Sequence, residues 1–261
     1  MNAVRVFFLG GAVSYRALFN WMQPVVYVPT MLAGPLFQIL LFAYVGRASG
    51  VESDAFFVVG NAVQVAAMAG VFGVAMTIGG ERWTQTLSLV LVSPANRLAL
   101  FLGRALPLIV NGFILSWFGF AVGWAFLDFD PAARSLPALA LCVATTAASC
   151  TAFGLVIGSF GLYAREIFVA ANLAYMGLLI FCGVNVPLDA LPQWMEAVSR
   201  GLPLTHGIEA ARSIVGGAAI SDVGGLLARE LAVGAAYAAA AYVLLRAFEA
   251  LGRRKASFET Y

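Results

Sequence analysis

Two pairs of polar residues stand inside apolar runs. Asn61 and Gln64 fall in the run 56–79, and Asn172 and Tyr175 in the run 166–186. Each pair is spaced i, i+3 and so shares one face of a helix. Amide and phenol groups in hydrocarbon need hydrogen-bond partners, and neighbouring helices are the plain source of them. Other chemistry is scarce. His206 is the lone histidine, with no nucleophile or metal-type partner near it in the sequence, so it is expected at a helix start or in packing. Cys142, Cys150 and Cys182 lie in apolar runs, far from any metal-ligand spacing, and read as small buried residues; no metal site is expected. A phosphate-cradling loop needs Gly-x-x-x-x-Gly-Lys-Ser/Thr. The only lysine is Lys255, preceded by Gly252, Arg253 and Arg254, so this chain contains no such loop.

The elements that hold these residues follow from composition. The 261 residues are 62% hydrophobic and only 11% charged, against roughly 25% in soluble domains. The mean hydropathy is +0.90. Such a chain cannot clothe a globular surface in ions, so an all-α polytopic membrane protein is expected. A net charge of +2, with no basic stripe among the aromatics, argues against nucleic acid. Six segments are long and apolar enough to cross a bilayer: 25–46, 56–79, 101–127, 136–162, 166–186 and 228–250. Pro24, Pro29 and Pro35 predict an irregular start or a kink in the first. Residues 1–22 mix Phe7, Phe8, Phe19 and Trp21 with Arg5 and Arg16, the pattern of a helix lying in the headgroup layer. No signal-type cleavage is expected there.

The bias of basic residues sets the orientation. With both termini cytoplasmic, the inner face takes Arg5, Arg16, Arg82, Arg97, Arg104, Arg165, Arg246, Arg253, Arg254 and Lys255. Most acidic residues, Glu230 among them, then fall outside. This orientation makes residues 80–104 cytoplasmic. There "ERWTQTLSLVLVSP" puts Trp83, Leu87, Val90 and Leu91 on one helical stripe, with Pro94 closing it. Such a helix can anchor its loop in the interface, or lie across the inner end of the bundle and face a cytosolic partner.

On the outer side, "DALPQWMEAVSRGLP" carries Leu191, Trp194, Met195, Val198 and Leu202 on one face. Pro192 suits a first turn, Asp189 sits near the positive helix end, and Gly201 with Pro203 stops the helix. A second short helix is predicted near 208–215. Within 187–217, two helices too short to span suggest an element that dips into the outer leaflet or lids an exit.

Two blocks carry a family resemblance. In residues 80–97, Glu81, Thr86, Leu87, Val90, Leu91 and Pro94 hold the places of Glu-x-x-Gly-Thr-Leu-Glu-x-Leu-Leu-x-x-Pro, the first cytoplasmic loop of ABC-2-type transporter permeases. Gln85 stands where the family usually has Gly, and Ser88 where it often has Glu. "GVNVPLDALPQWMEAVSRGLPLTHGIEAARSIVGG" resembles the family's late extracellular signature through Pro187, Leu188, Leu191, Pro192, Trp194, Pro203, Leu204, Thr205, Arg212 and Gly216. The chain as a whole, 1–261, is similar to one transmembrane permease domain with an interfacial helix (1–22), a coupling loop (80–97) and re-entrant outer helices (187–217).

The resemblance implies a transporter subunit of the plasma membrane rather than an enzyme. A second copy, or a related permease, would complete the pathway. Two cytosolic ATPase subunits would bind ATP and Mg and drive it, this chain binding no cofactor. Glu81, Arg82, Trp83, Thr86, Leu87, Val90, Leu91 and Pro94 would form the ATPase-coupling helix, with Arg165 and Glu166 as a second contact or merely a solvated turn pair. Similar permeases line their cavity with spans two and five, so Phe57, Asn61, Gln64, Phe168, Asn172 and Tyr175 would touch cargo, the alternative being bonds between helices. Pro187, Leu191, Pro192, Trp194, Pro203 and Arg212 would form the outer gate. Export of an amphiphilic drug or lipid is implied, with polysaccharide or lipo-oligosaccharide export as the alternative. An intramembrane enzyme would need ionisable groups in the bundle, and the predicted cores hold almost none. A non-transporting scaffold would work without any ATPase, and an adjacent ATPase reading frame would argue against it.

Overall fold

The computed structural model describes residues 5, 7–12, 24–50, 52–83, 97–161 and 166–255, and only the backbone of 24–28, 30, 79–83, 97–101 and 249–255. Its long elements are helices: α1 (Pro24–Ser49), α2 (Asp54–Ala67), a π-helical turn (Met68–Gly73), α3 (Val74–Trp83), α4 (Arg97–Phe126), α5 (Leu136–Gly161), α6 (Ile167–Phe181), α7 (Gln193–Arg200), α8 (Thr205–Val215) and α9 (Gly224–Lys255). No strand occurs among the described residues. Five stretches are long and apolar enough to cross a membrane: Met31–Ser49, Asp54–Ile78, Leu102–Phe126, Ala133–Gly161 and Gly224–Phe248. The fifth predicted span is apolar but short, Ile167–Phe181. The chain is therefore an all-helical, polytopic membrane protein.

Why α2 is the axis of the bundle is visible in its residues. Ser53 caps it, its Oγ accepting the Phe56 N–H at 3.3 Å, and Asp54 sits at the positive end of the helix. Every residue from Phe57 to Ala67 is buried, as expected of a helix apolar all round. Small residues let its neighbours come close. Continuing into the π-turn, Gly70 meets α5 so tightly that a Cβ on Gly154 would lie 2.2 Å from the Gly70 carbonyl oxygen. Only a bare backbone fits that crossing. The core runs from Ile39 on α1 through Val58 and Ala62 on α2 to Phe120 on α4, Val143 on α5 and Ile208 on α8. At the ends of α1, α2 and α4, Arg47 pairs with Asp54 and lies 3.4 Å from Asp128.

Four boundaries differ from the sequence reading. The second span continues without a break through Gly79 and Gly80 to Trp83, because glycines flanked by good helix formers do not by themselves end a helix. The fifth span stops at Phe181, five residues early. Gly183 adopts φ +71°, and Arg212 takes the carbonyls of Gly183 and Val184 that a continuing helix would use. Asp189 belongs to a separate turn, Leu188–Ala190, so Pro192 alone precedes α7. The last helix begins at Gly224, which puts Glu230 well inside a spanning segment rather than outside. Before α1, residues 7–12 are helical and dock on α4, where a Cβ on Gly103 would lie 2.3 Å from the Phe7 carbonyl oxygen.

Candidate functional site

Five polar side chains from four elements meet inside the bundle. Gln38 on α1 reaches toward α2, its Nε2 donating to Asn61 Oδ1 and to Gln64 Oε1, each at 2.9 Å. Asn61 Nδ2 donates to its own helix at Phe57 O (2.9 Å) and to Asn185 Oδ1 (2.7 Å), in the segment that follows α6. From α6 the Tyr175 hydroxyl donates to Gln38 Oε1 at 3.3 Å. Asn61 and Gln64 are fully buried, while Gln38 and Asn185 are half-buried and form the open edge.

The network is not closed. Gln64 Nε2 is buried and has no hydrogen-bond partner among the described residues. A buried amide N–H left without an acceptor costs about 1–3 kcal/mol, so this donor is ready for an acceptor that water or a ligand would bring. Neutral amides suit such an exchange, because they offer donors and acceptors together without the cost of burying charge.

Beside it stands a half-buried cation. Arg212 on α8 donates from Nη1 to Gly183 O (2.7 Å), and from Nη2 to Val184 O (2.9 Å) and Phe56 O (3.1 Å). Its guanidinium carbon lies 3.5 Å from the centre of the Phe56 ring. Burial lowers its pKa to about 10, against the pull of Glu52 and Glu209, so it stays protonated at neutral pH. Gly60 makes the arrangement possible: a Cβ there would lie 2.3 Å from Val184 O and 2.7 Å from Arg212 Nη2. Residues 183–185 are thus held from one side by Arg212 and from the other by Asn61.

The residues singled out from the sequence divide accordingly. Asn61, Gln64 and Tyr175 come together. Asn172 does not; it is exposed on α6, one turn before the buried Tyr175. Phe168 is half exposed and meets Phe72 edge-on at 5.2 Å. Phe57 is core, with its ring packed over Gly46 of α1. Of the residues expected on the outer side, Arg212 is central and Pro203 is buried, its carbonyl accepting the Cys182 thiol at 3.5 Å. Pro187 and Leu191 are half-buried, and Pro192 is exposed at the start of α7. Trp194 is 63% exposed and touches Phe181 at 6.0 Å between ring centres. Glu81, Arg82 and Trp83 form the end of α3. Thr86, Leu87, Val90, Leu91, Pro94 and Arg165 lie outside the described residues, and Glu166 is an exposed residue just before α6.

Sequence reasoning missed Gln38 and Asn185. Gln38 is the sole amide of the first apolar run, a signal that a search for i, i+3 pairs passes over. Asn185 was hidden by the expectation that helix continues through it.

Residues 7–215 match the family model for the ABC-2 type transporter. The chain belongs to that family. It is 26% identical over 193 residues to the probable multidrug ABC transporter permease YbhR of Escherichia coli strain K12, and equally to its counterpart in strain O157:H7. The matches cover 73% of this chain and 52% of each relative, so the chain spans about half the length of the curated relatives it matches.

Proposed function

We propose that the chain is the membrane-spanning permease subunit of an ABC exporter, moving an amphiphilic drug or lipid-like substrate outward on ATP hydrolysed by a separate cytosolic subunit. It works as a pair, with a second copy or a related permease, and two ATPase copies hold the ATP and Mg. Both termini are cytoplasmic in the plasma membrane. Family membership supports this, as does the lack of any lysine that a phosphate loop would need. One observation carries the reading of the site: an unfilled amide network deep in an apolar bundle joins, through residues 183–185, a cation at the base of the outer helices.

The geometry supports a division of labour. Gln38 and Asn185, at the open edge, offer hydrogen bonds to the polar end of a substrate, and Gln64 supplies a free donor behind them. Exposed apolar side chains on α1 (Phe37, Leu41) and α6 (Leu173, Met176) suit its apolar body or the partner permease. Pro187, Leu191, Pro192, Trp194, Pro203 and Arg212 close the outer side. Coupling enters through the segment 81–94, whose first residues are one continuous helix with α3, and through Arg165 and Glu166.

The test is co-purification with an ABC ATPase subunit, reconstitution in nanodiscs and a screen for amphiphiles that stimulate ATP hydrolysis. Stimulation should vanish when 84–94 is deleted. A deletion variant that assembles and keeps full stimulation removes the coupling assignment, and no stimulation by any amphiphile in the wild type removes the substrate class.

A further inference from the structure

Glu230 is fully buried, six residues into the last spanning segment. Among the described residues no Lys or Arg pairs with it. Charge at that depth is retained where it has a role. Its partners reveal which. Oε1 accepts the Leu204 N–H at 2.9 Å and Oε2 the Gly207 N–H at 3.2 Å. These are the N-cap and third N–H groups of α8, and α8 has no cap of its own: Leu204 sits at φ +92° and makes no side-chain cap bond. In a capping box two local side chains satisfy those two groups. Here a single carboxylate from another helix does both, at the positive end of the α8 dipole.

The junction is reinforced around it. The Tyr237 hydroxyl, two turns along α9, donates to Gly201 O at 3.0 Å. Ser149 on α5 donates to the Glu230 carbonyl at 3.3 Å. α7 and α8 are bound to each other by Thr205 Oγ1, which donates to Ser199 O at 2.7 Å. At its other end α8 carries Arg212, gripping Gly183 and Val184. α8 is thus held by the last span at one end and holds the outer loop of the amide network at the other.

We propose that Glu230 is a positioning residue for the outer gate: its carboxylate, bonded to the Leu204 and Gly207 N–H groups, makes α8 travel with α9 and deliver that movement through Arg212 to residues 183–185. This rests on the transport reading above and adds to it the element that works the gate. α8 and α9 then form one rigid unit during the ATP cycle.

Spin labels test it in the complete complex with the ATPase in nanodiscs. Ser213→Cys (α8), Ala228→Cys (α9) and Leu41→Cys (α1) are all at exposed positions, and the three native cysteines are buried. Between nucleotide-free and ATP/vanadate-trapped states, the 213–228 distance should stay fixed while the 41–228 distance shifts. In Glu230→Gln, where the amide oxygen still accepts one N–H, the 213–228 distance should broaden. Ethidium efflux per ATP should fall about tenfold, the loss of one hydrogen bond to a charged group. Glu230→Asp should recover part of it. A 213–228 distance that changes in the wild type, a 41–228 distance that does not, or a Glu230→Gln complex with wild-type efflux per ATP overturns the proposal. If Glu230→Gln does not assemble, the two wild-type distances decide alone. A wild-type complex that shows the distance changes but exports nothing instead sinks the transport reading.

Discussion

The amide network and the Glu230 junction are both polar groups buried in an apolar bundle, yet they are built on opposite plans. The network is neutral, open at Gln38 and Asn185, and leaves Gln64 Nε2 without a partner among the described residues. The junction is built on a carboxylate, closed, with both oxygens accepting backbone N–H groups. A neutral network with a spare donor can exchange partners at little cost, whereas a carboxylate that holds two N–H groups by charge-assisted bonds resists exchange. On the proposed function, the contrast would separate the part of the molecule that meets cargo from the part that moves.

Substitutions can break or sharpen that contrast. The largest effect is expected from Glu230→Ala, which leaves two buried N–H groups unpaired and should cost about 3 kcal/mol. Thermal unfolding of the purified chain should show a drop of several degrees, with amide exchange accelerated at Leu204 and Gly207; unchanged exchange there would mean the carboxylate does not cap α8. Arg212→Lys comes next. A lysine cannot fork to three carbonyls, so a loss of about 2 kcal/mol is expected, read as faster exchange across 182–187. Equal protection in the variant would show that charge alone is enough.

Gly60→Ala is subtler. Its methyl group must displace Val184 O, at a cost of about 1–3 kcal/mol, and should disconnect Asn185 from Asn61 while leaving basal ATPase activity intact. Substrate-stimulated hydrolysis is the readout, and wild-type stimulation counts against the link through 183–185. Gln64→Met should have the smallest effect on stability, within about 1 kcal/mol, because it removes an orphaned donor along with one acceptor for Gln38. Its consequence should appear in which amphiphiles stimulate the ATPase. A lowered melting point with an unaltered substrate profile would recast the network as helix glue.

How much of this was written in the sequence differs by element. The long spans were legible, because apolar runs bounded by Arg47, Asp54, Arg97 and Asp128 leave little choice. So were α7 and α8, where Pro192, Gly201 and Gly216 punctuate the chain. Asn61, Gln64 and Tyr175 were found because they are paired along a helix. Gln38 and Asn185 join them only through tertiary packing. Glu230 was misplaced for a related reason. Beside Arg229 and soon after Gly224 and Gly225 it reads as a polar flank, and only the approach of an uncapped helix start gives it a buried partner.

The π-helical turn at Met68–Gly73 lies midway between Asn61 and Glu81. Its i→i+5 bonding accommodates one residue more than an α-helix would. The two halves of this continuous rod are therefore out of phase by about 100°, one residue's worth of helical rotation. Annealing that surplus would turn the Val74–Trp83 half by that angle relative to the amides of α2. A one-residue change of register in this turn would therefore alter which face α3 presents to its neighbours while Asn61 and Gln64 stay in place.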